Sequence, residues 1–185
     1  MPFVTYLTML AAILNYLYIK HLEKRENSES ALIDAGALHT PYLGGIKQCY
    51  RFFTAGLVHF SFYHLIMNLY CLYSLGTTIE YIFGHLAFAI LLFGSIILGN
   101  IFTVLLEKGY VISGGLSSGI YGLLAVELIL VYLIYGIEGI TQNTSLLITI
   151  LLNVSLNFMP GVGWKAHLGG ATFGILFMTV IYNFL

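Results

Sequence analysis

The sequence predicts an all-α, polytopic membrane protein with a bundle of six transmembrane helices. Of its 185 residues, 59% are hydrophobic and 8% are charged, whereas about a quarter of the residues of a soluble domain are charged. Several apolar runs reach the ~20 residues that a helix needs to cross a bilayer. These runs must be helical, because hydrocarbon offers no partners to backbone N–H and C=O groups and the alternation typical of barrel strands is absent.

Run length places the six spans to within about four residues. The first run lacks the preceding basic residues and the cleavage site of a signal peptide, so it is predicted to be a permanent span. We expect a single membrane domain over 1–185, with a long first loop at about 20–56. The second half of that loop is aromatic enough to lie at the membrane interface. The spans are predicted at 3–19, 57–75, 86–106, 116–136, 143–159 and 167–184.

Charge restricts the expected partners. The formal net charge is −1, which disfavours a nucleic-acid surface, so the lipid bilayer is the expected environment and no nucleic acid is expected. All seven basic residues lie on the first, third and fifth loops, and the positive-inside rule would place those loops in the cytoplasm. They are Lys20, Lys24, Arg25, Lys47, Arg51, Lys108 and Lys165.

Strongly polar residues in the second span are functional candidates, because an ionisable group within a bilayer costs about 2.5 kcal/mol or more. His64 and Asn68 are four residues apart and therefore share a helical face. They are either interhelical hydrogen-bonding groups or parts of a site. His59, in the same stretch, either helps to hydrate a cavity or is structural.

The fourth and sixth spans open with polar residues that precede stripes of small ones. Ser117 stands where a helix begins, so free N–H groups there would face a developing oxyanion; the alternative is a serine cap beside glycines packed tightly. His167 is followed on its face by Gly170 and Gly174. Small residues let helix backbones approach closely, so the Ser117 hydroxyl and the His167 imidazole can come within hydrogen-bonding reach.

Three stretches, HFSFYHLIMN, GLSSGIYGLL and PGVGWKAHLGGATFG, resemble in order and spacing the signatures of rhomboid proteases, from about Tyr50 to the end. The resemblance implies an intramembrane serine protease with no cofactor and no metal, acting on transmembrane proteins. It also implies a catalytic role for Ser117 as nucleophile and His167 as general base. The supporting residues would be His64 and Asn68 at the oxyanion and Tyr121 packed on the imidazole.

Two positions depart from the family pattern. Ser118 replaces the glycine that usually follows the nucleophile, so a register with Ser118 as nucleophile is the alternative. That register would place Tyr121 three residues downstream instead of four, which favours Ser117. Tyr50 stands in place of tryptophan before Arg51. Further along, Glu80 and Gly84 resemble the acidic residue and the glycine that close the second span.

A third, acidic member of a triad has no good candidate. The only aspartate, Asp34, lies in the first loop, and Glu127 lies about 15 Å along the helix from Ser117. A Ser-His dyad is therefore expected, with the imidazole oriented by packing on Tyr121. Asn153 and Asn157, one turn apart in the fifth span, are interpreted as structural hydrogen-bonding groups.

Other interpretations remain open. A catalytically inactive rhomboid-like protein would bind membrane proteins without cutting them, and a transporter or channel would also place polar residues in spans. Most rhomboids open their active site away from the cytosol, which opposes the orientation that the basic loops indicate. A cleavable substrate segment is expected to carry helix-destabilising glycine or proline.

Overall fold

The computed structural model describes residues 1–43, 45–157 and 163–184, and these are mostly helical, which confirms the all-α class. Two short strands, β1 (Leu38–His39) and β2 (Ile112–Ser113), form an antiparallel pair, and three 3-10 turns cover Thr40–Tyr42, Ile46–Gln48 and Ala55–Leu57. The α-helices are α1 (Phe3–Leu22), α2 (Ser28–Asp34), α3 (Arg51–Thr54), α4 (Phe62–Leu106), α5 (Ser117–Gln142), α6 (Thr144–Leu156) and α7 (Trp164–Phe184).

Helix α4 is 45 residues long and is interrupted once, at Gly84. Gly84 has φ 78° and ψ 169°, a backbone conformation that only glycine adopts without strain. The second predicted span was expected to end at 75, but the helix continues to this glycine because nothing between 76 and 83 breaks it. The connection between the two halves of α4 is thus a single residue and not a ten-residue loop. A second interruption, at Gly136 in α5, has φ 66°.

Two helix starts also differ from the predicted ones. Helix α4 begins at Phe62, not at 57, because the Ser61 side chain accepts a hydrogen bond from the His64 N–H and caps the helix there. His59 consequently lies in the loop before α4. Helix α7 begins at Trp164, three residues before the predicted start. The predicted end of the fifth span, 159, lies outside the described residues.

The centre of the fold is formed by α4, α5 and α7, and α1 packs on the outside of α4. Buried apolar side chains such as Leu92, Ile96 and Leu123 fill the space between the central helices. Many large apolar side chains on the outer faces are exposed, for example Leu86 at 77%, as expected where lipid surrounds a helix. Within the described residues, α1, α4 and α5 are each long and apolar enough to cross a membrane.

The first loop, the third loop and the start of α7 meet at one end of the bundle. Strand β1 belongs to the first loop and β2 to the third, and the Lys165 ammonium at the start of α7 lies 2.7 Å from the Glu107 carboxylate. Arg51 is buried in the first loop, where it donates to the carbonyls of Ile33 and Ala37 at 2.6 and 2.9 Å. These contacts hold the loops around the start of α5.

At the other end, a buried carboxylate fastens α1 to α4. Glu80 is 1% exposed and accepts hydrogen bonds from the backbone N–H groups of Val4 and Thr5 at 2.7 and 2.8 Å, and from the Thr5 hydroxyl at 2.7 Å. These N–H groups lie in the first turn of α1, which has no intrahelical acceptors for them. An acidic group at this position is also favoured by the helix dipole.

Candidate active site

Ser117 is the first residue of α5 and follows a pair of glycines after β2. Gly115 has φ 130°, and its N–H donates to the Ala55 carbonyl at 2.9 Å. A Cβ on Gly115 would lie 2.8 Å from His64 Nε2, so only glycine fits between the serine helix and the imidazole. The loop therefore brings the first turn of α5, with N–H groups that lack intrahelical acceptors, close to His64.

His167 lies in the first turn of α7 and is 7% exposed. Its Nε2 atom is 2.9 Å from Ser117 Oγ, which is hydrogen-bonding distance. Two glycines of α7 make this approach possible. A Cβ on Gly170 would lie 1.9 Å from the Ser118 carbonyl oxygen, and one on Gly174 would lie 2.3 Å from that of Gly122. The small-residue stripes of the two helices thus meet, as their spacing predicted.

Tyr121, one turn after Ser117, covers one face of the His167 imidazole. The ring centroids are 4.2 Å apart and the ring planes differ by 6°, a parallel stack. The Tyr121 hydroxyl donates to the Asn153 backbone carbonyl at 2.5 Å. The predicted packing of the tyrosine on the imidazole is therefore present, and α6 holds the tyrosine in place.

His64 and Asn68 lie on the first two turns of α4. The His64 ring packs against His59, with centroids 5.0 Å apart, and stacks on Phe60. Asn68 is 5% exposed, and its amide donates to the His64 carbonyl at 2.8 Å, which leaves one amide hydrogen for another acceptor. Of this pair, the structure brings the His64 imidazole next to the loop that precedes Ser117.

Ser118 has a different environment from Ser117. It is 3% exposed, and its side chain packs against α4 at Gly99, where an added Cβ would lie 2.6 Å from Ser118 Cβ and 3.0 Å from its Oγ. The hydrogen bond to His167 is made by Ser117. The two neighbouring serines therefore face different helices.

Asn157, interpreted from the sequence as a structural hydrogen-bonding group, contacts the imidazole of His167. Its Oδ1 atom lies 2.5 Å from His167 Nδ1, and its Nδ2 atom donates to the Tyr121 hydroxyl at 2.7 Å. One sequence feature could have indicated this role: Asn153 and Asn157 are spaced one turn apart, as His64 and Asn68 are. The histidine is thus held by a hydrogen bond as well as by the tyrosine ring.

A cavity of about 540 Å³ opens beside the imidazole. It reaches the His167 ring. The lining residues are Tyr121, Asn157, Trp164, His167, Leu168 and Ala171.

A known protein family matches the part of the sequence that contains these residues. The sequence model of the Rhomboid domain matches residues 47–184, which include Ser117, His167 and the residues around them. The chain belongs to the rhomboid family. This rhomboid is accordingly an integral, multi-pass membrane protein.

Among the relatives of this rhomboid, one is named as a protease and another is named as inactive. RHOMBOID-like protein 7 of Arabidopsis thaliana is 30% identical over 80% of this chain and 48% of its own length. Rhomboid-like protease 3 of Toxoplasma gondii is 29% identical over 85% of this chain and 60% of its own length. Inactive RHOMBOID-like protein 8 of A. thaliana is 26% identical over 77% and 43%. The chain thus spans about half the length of the relatives it matches.

Proposed function

We propose that this rhomboid is a serine endopeptidase that hydrolyses peptide bonds in or near transmembrane segments of other membrane proteins with a Ser117–His167 dyad. The observation that carries the proposal is the 2.9 Å separation of Ser117 Oγ and His167 Nε2 at the beginning of α5. A serine hydroxyl is a weak nucleophile unless a neighbouring base takes its proton. A histidine at hydrogen-bonding distance is the base that operates near neutral pH.

In the proposed mechanism, His167 Nε2 takes the proton as Ser117 Oγ bonds to the scissile carbonyl carbon. The resulting oxyanion accepts hydrogen bonds from the Ser117 backbone N–H, the His64 side chain and the free hydrogen of the Asn68 amide. His167 then gives its proton to the leaving amine, and the C–N bond breaks. Water, activated by His167, hydrolyses the acyl-enzyme and restores the serine. The reaction needs no cofactor or metal.

Geometry supports Ser117 over Ser118 as the nucleophile. Ser117 is the serine at hydrogen-bonding distance from His167, whereas the Ser118 side chain packs against Gly99. Ser118 Oγ would have to leave that contact to reach the imidazole.

We also propose six membrane crossings within one domain covering 1–185. At 1.5 Å per residue the 45-residue α4 would extend about 68 Å, roughly twice the ~30 Å hydrocarbon core. The interruption at Gly84 divides it into two segments, each about the length of one crossing. Helices α1, α5, α6 and α7 supply the remaining four. The basic first, third and fifth loops then share one side of the bilayer, which is the side on which Ser117 and His167 lie.

The second candidate function is a rhomboid that binds membrane proteins without cutting them. The inactive Arabidopsis relative and the serine in place of glycine at 118 favour it. The retained hydrogen bond between Ser117 and His167 favours the protease, because a binder has no use for an activated hydroxyl.

The experiment is cleavage of a generic transmembrane substrate in liposomes, with labelling by a serine-directed covalent probe in parallel. We expect wild type to cleave and to be labelled, and Ser117→Ala and His167→Ala to do neither. Ser155→Ala, an exposed serine on α6, is the matched control and should behave as wild type. Wild type that neither cleaves nor labels would contradict the protease proposal and support the binder.

A further inference from the structure

We propose that Asn157 is a positioning residue, whose side-chain amide holds His167 in the tautomer with the proton on Nδ1 and the lone pair on Nε2. The inference rests on the proposed function, since a fixed tautomer matters only if His167 acts as a base. It adds to the dyad a third member, a neutral amide, at a point where no carboxylate of the described residues hydrogen-bonds to the imidazole.

A backbone carbonyl oxygen can only accept a hydrogen bond. The Asn153 backbone carbonyl lies 2.5 Å from the Tyr121 hydroxyl, so the tyrosine must donate its single proton there. Because that proton is used, the Tyr121 oxygen can only accept any further hydrogen bond. Its other neighbour, an amide atom of Asn157 at 2.7 Å, must therefore be the donor, which identifies it as the NH₂ group.

Assignment of the NH₂ group fixes the other end of the same side chain. The Asn157 amide oxygen then faces His167 Nδ1, at 2.5 Å. A carbonyl oxygen only accepts, so Nδ1 must carry a proton. In a neutral imidazole that leaves Nε2 without one, and Nε2 is the atom 2.9 Å from Ser117 Oγ. The chain of hydrogen bonds therefore selects the tautomer that can take the serine proton.

The imidazole at the centre of this chain of hydrogen bonds is largely buried. His167 is 7% exposed, Tyr121 and Asn157 are partly buried, and the Tyr121 ring covers one face of the imidazole. When His167 becomes charged, the Nδ1–H bond to Asn157 persists and becomes charge-assisted, and therefore stronger. An amide provides this orientation without the cost of a second buried charge.

Four variants distinguish a role of Asn157 in orienting the His167 ring from a role in packing alone. Asn157→Leu keeps the approximate size and removes the acceptor. Asn157→Asp keeps an acceptor for Nδ1–H. Tyr121→Phe keeps the ring stack and removes the hydroxyl that orients the amide. Ser155→Ala, two residues before Asn157 and exposed, is the control. Each is purified as the full chain, and thermal unfolding establishes that it is folded.

The first readout does not depend on activity. In wild type with ¹⁵N-labelled histidine, the ring nitrogens of His167, assigned by their loss in His167→Gln, should report a protonated Nδ1 and an unprotonated Nε2. Asn157→Leu should give a mixture of tautomers, and Tyr121→Phe a smaller change in the same direction. A wild-type Nε2–H tautomer, or a tautomer unchanged in Asn157→Leu, would overturn the inference even if the protein proved to have no protease activity.

The second readout is kinetic. Asn157→Leu should lower kcat roughly 10- to 100-fold, the rate equivalent of one hydrogen bond to a charged group, with little change in KM. Asn157→Asp should recover most of kcat, with the acidic limb of the pH profile moved to higher pH because a carboxylate stabilises the imidazolium. Equal losses in the two Asn157 variants, or wild-type kcat in Asn157→Leu, would contradict the positioning role and leave the dyad intact.

Discussion

Gly170 of α7 packs directly on the backbone of Ser118 in α5, so closely that a Cβ on Gly170 would lie 1.9 Å from the Ser118 carbonyl oxygen. Ser117, the proposed nucleophile, immediately precedes Ser118. His167, the proposed base, precedes Gly170 by three residues. The separation of these helices therefore sets the distance between Ser117 Oγ and His167 Nε2. Small side chains at this contact serve the site as well as the stability of the bundle.

Gly170→Ala is expected to push α7 away from α5. Overpacking of this kind costs about 1–3 kcal/mol of unfolding free energy, and a displacement of about 1 Å between reacting groups costs roughly 100-fold in rate. Thermal unfolding in detergent and cleavage assays measure both effects. Gly163→Ala is the control, because the nearest atom of the described residues to its new Cβ would be Ala166 Cβ, 3.9 Å away. Wild-type stability and rate in Gly170→Ala would show that this contact does not set the geometry.

Glu80→Gln is expected to loosen α1 from α4. The neutral amide keeps the shape of the side chain but weakens the hydrogen bonds that Val4 and Thr5 donate to it. One of the two carboxylate oxygens is also replaced by an NH₂ group, which cannot accept these hydrogen bonds. We expect a loss of about 1.5–3 kcal/mol in the free energy of unfolding, the range for hydrogen bonds to a charged group. Glu23→Gln, which removes a solvent-accessible ion pair with Lys20, should cost less than about 1 kcal/mol.

Equal effects of Glu80→Gln and Glu23→Gln on the melting temperature would be inconsistent with a buried anchor. The comparison is informative because both variants remove one negative charge from the chain. The two glutamates differ in that Glu80 accepts hydrogen bonds from the first turn of α1, whereas Glu23 pairs with Lys20.

His64→Phe tests whether the polar groups of α4 stabilise the oxyanion or only pack. Phenylalanine retains the ring contacts with His59 and Phe60 and removes the N–H donor. If His64 serves the oxyanion, kcat should fall about 10²- to 10³-fold with KM little changed. Steady-state kinetics on the liposome substrate provides the measurement. His21→Phe, at an exposed position on α1, should leave kcat unchanged, and a His64→Phe enzyme with wild-type kcat would remove His64 from the mechanism.

Much of this architecture follows from simple features of the sequence. Low charge and long apolar runs predict helices in a bilayer, and the glycines after Ser117 and His167 predict that their helices touch. Helix ends were harder to predict. The start of α4 depends on a single hydrogen bond that the Ser61 side chain accepts from the His64 N–H, and the turn at Gly84 depends on one positive φ. Neither feature changes the hydrophobic pattern.

The contact between Asn157 and His167 does not follow from the hydrophobic pattern of the sequence. The pattern of apolar residues predicts which face of a helix is buried, but it does not specify which buried amide meets which ring. Asn157 is ten residues from His167, and no helical periodicity relates the two positions. The position of its amide between His167 and Tyr121 is a property of the tertiary structure.

The most direct test of the central claim is to identify the residue that a serine-directed covalent probe modifies, by peptide mapping and tandem mass spectrometry of the labelled wild-type protein. Activation by His167 through the hydrogen bond to Ser117 predicts a single adduct on Ser117 Oγ, which is lost in His167→Ala and retained in Ser118→Ala. An adduct on Ser118, or labelling that persists without His167, would contradict the dyad.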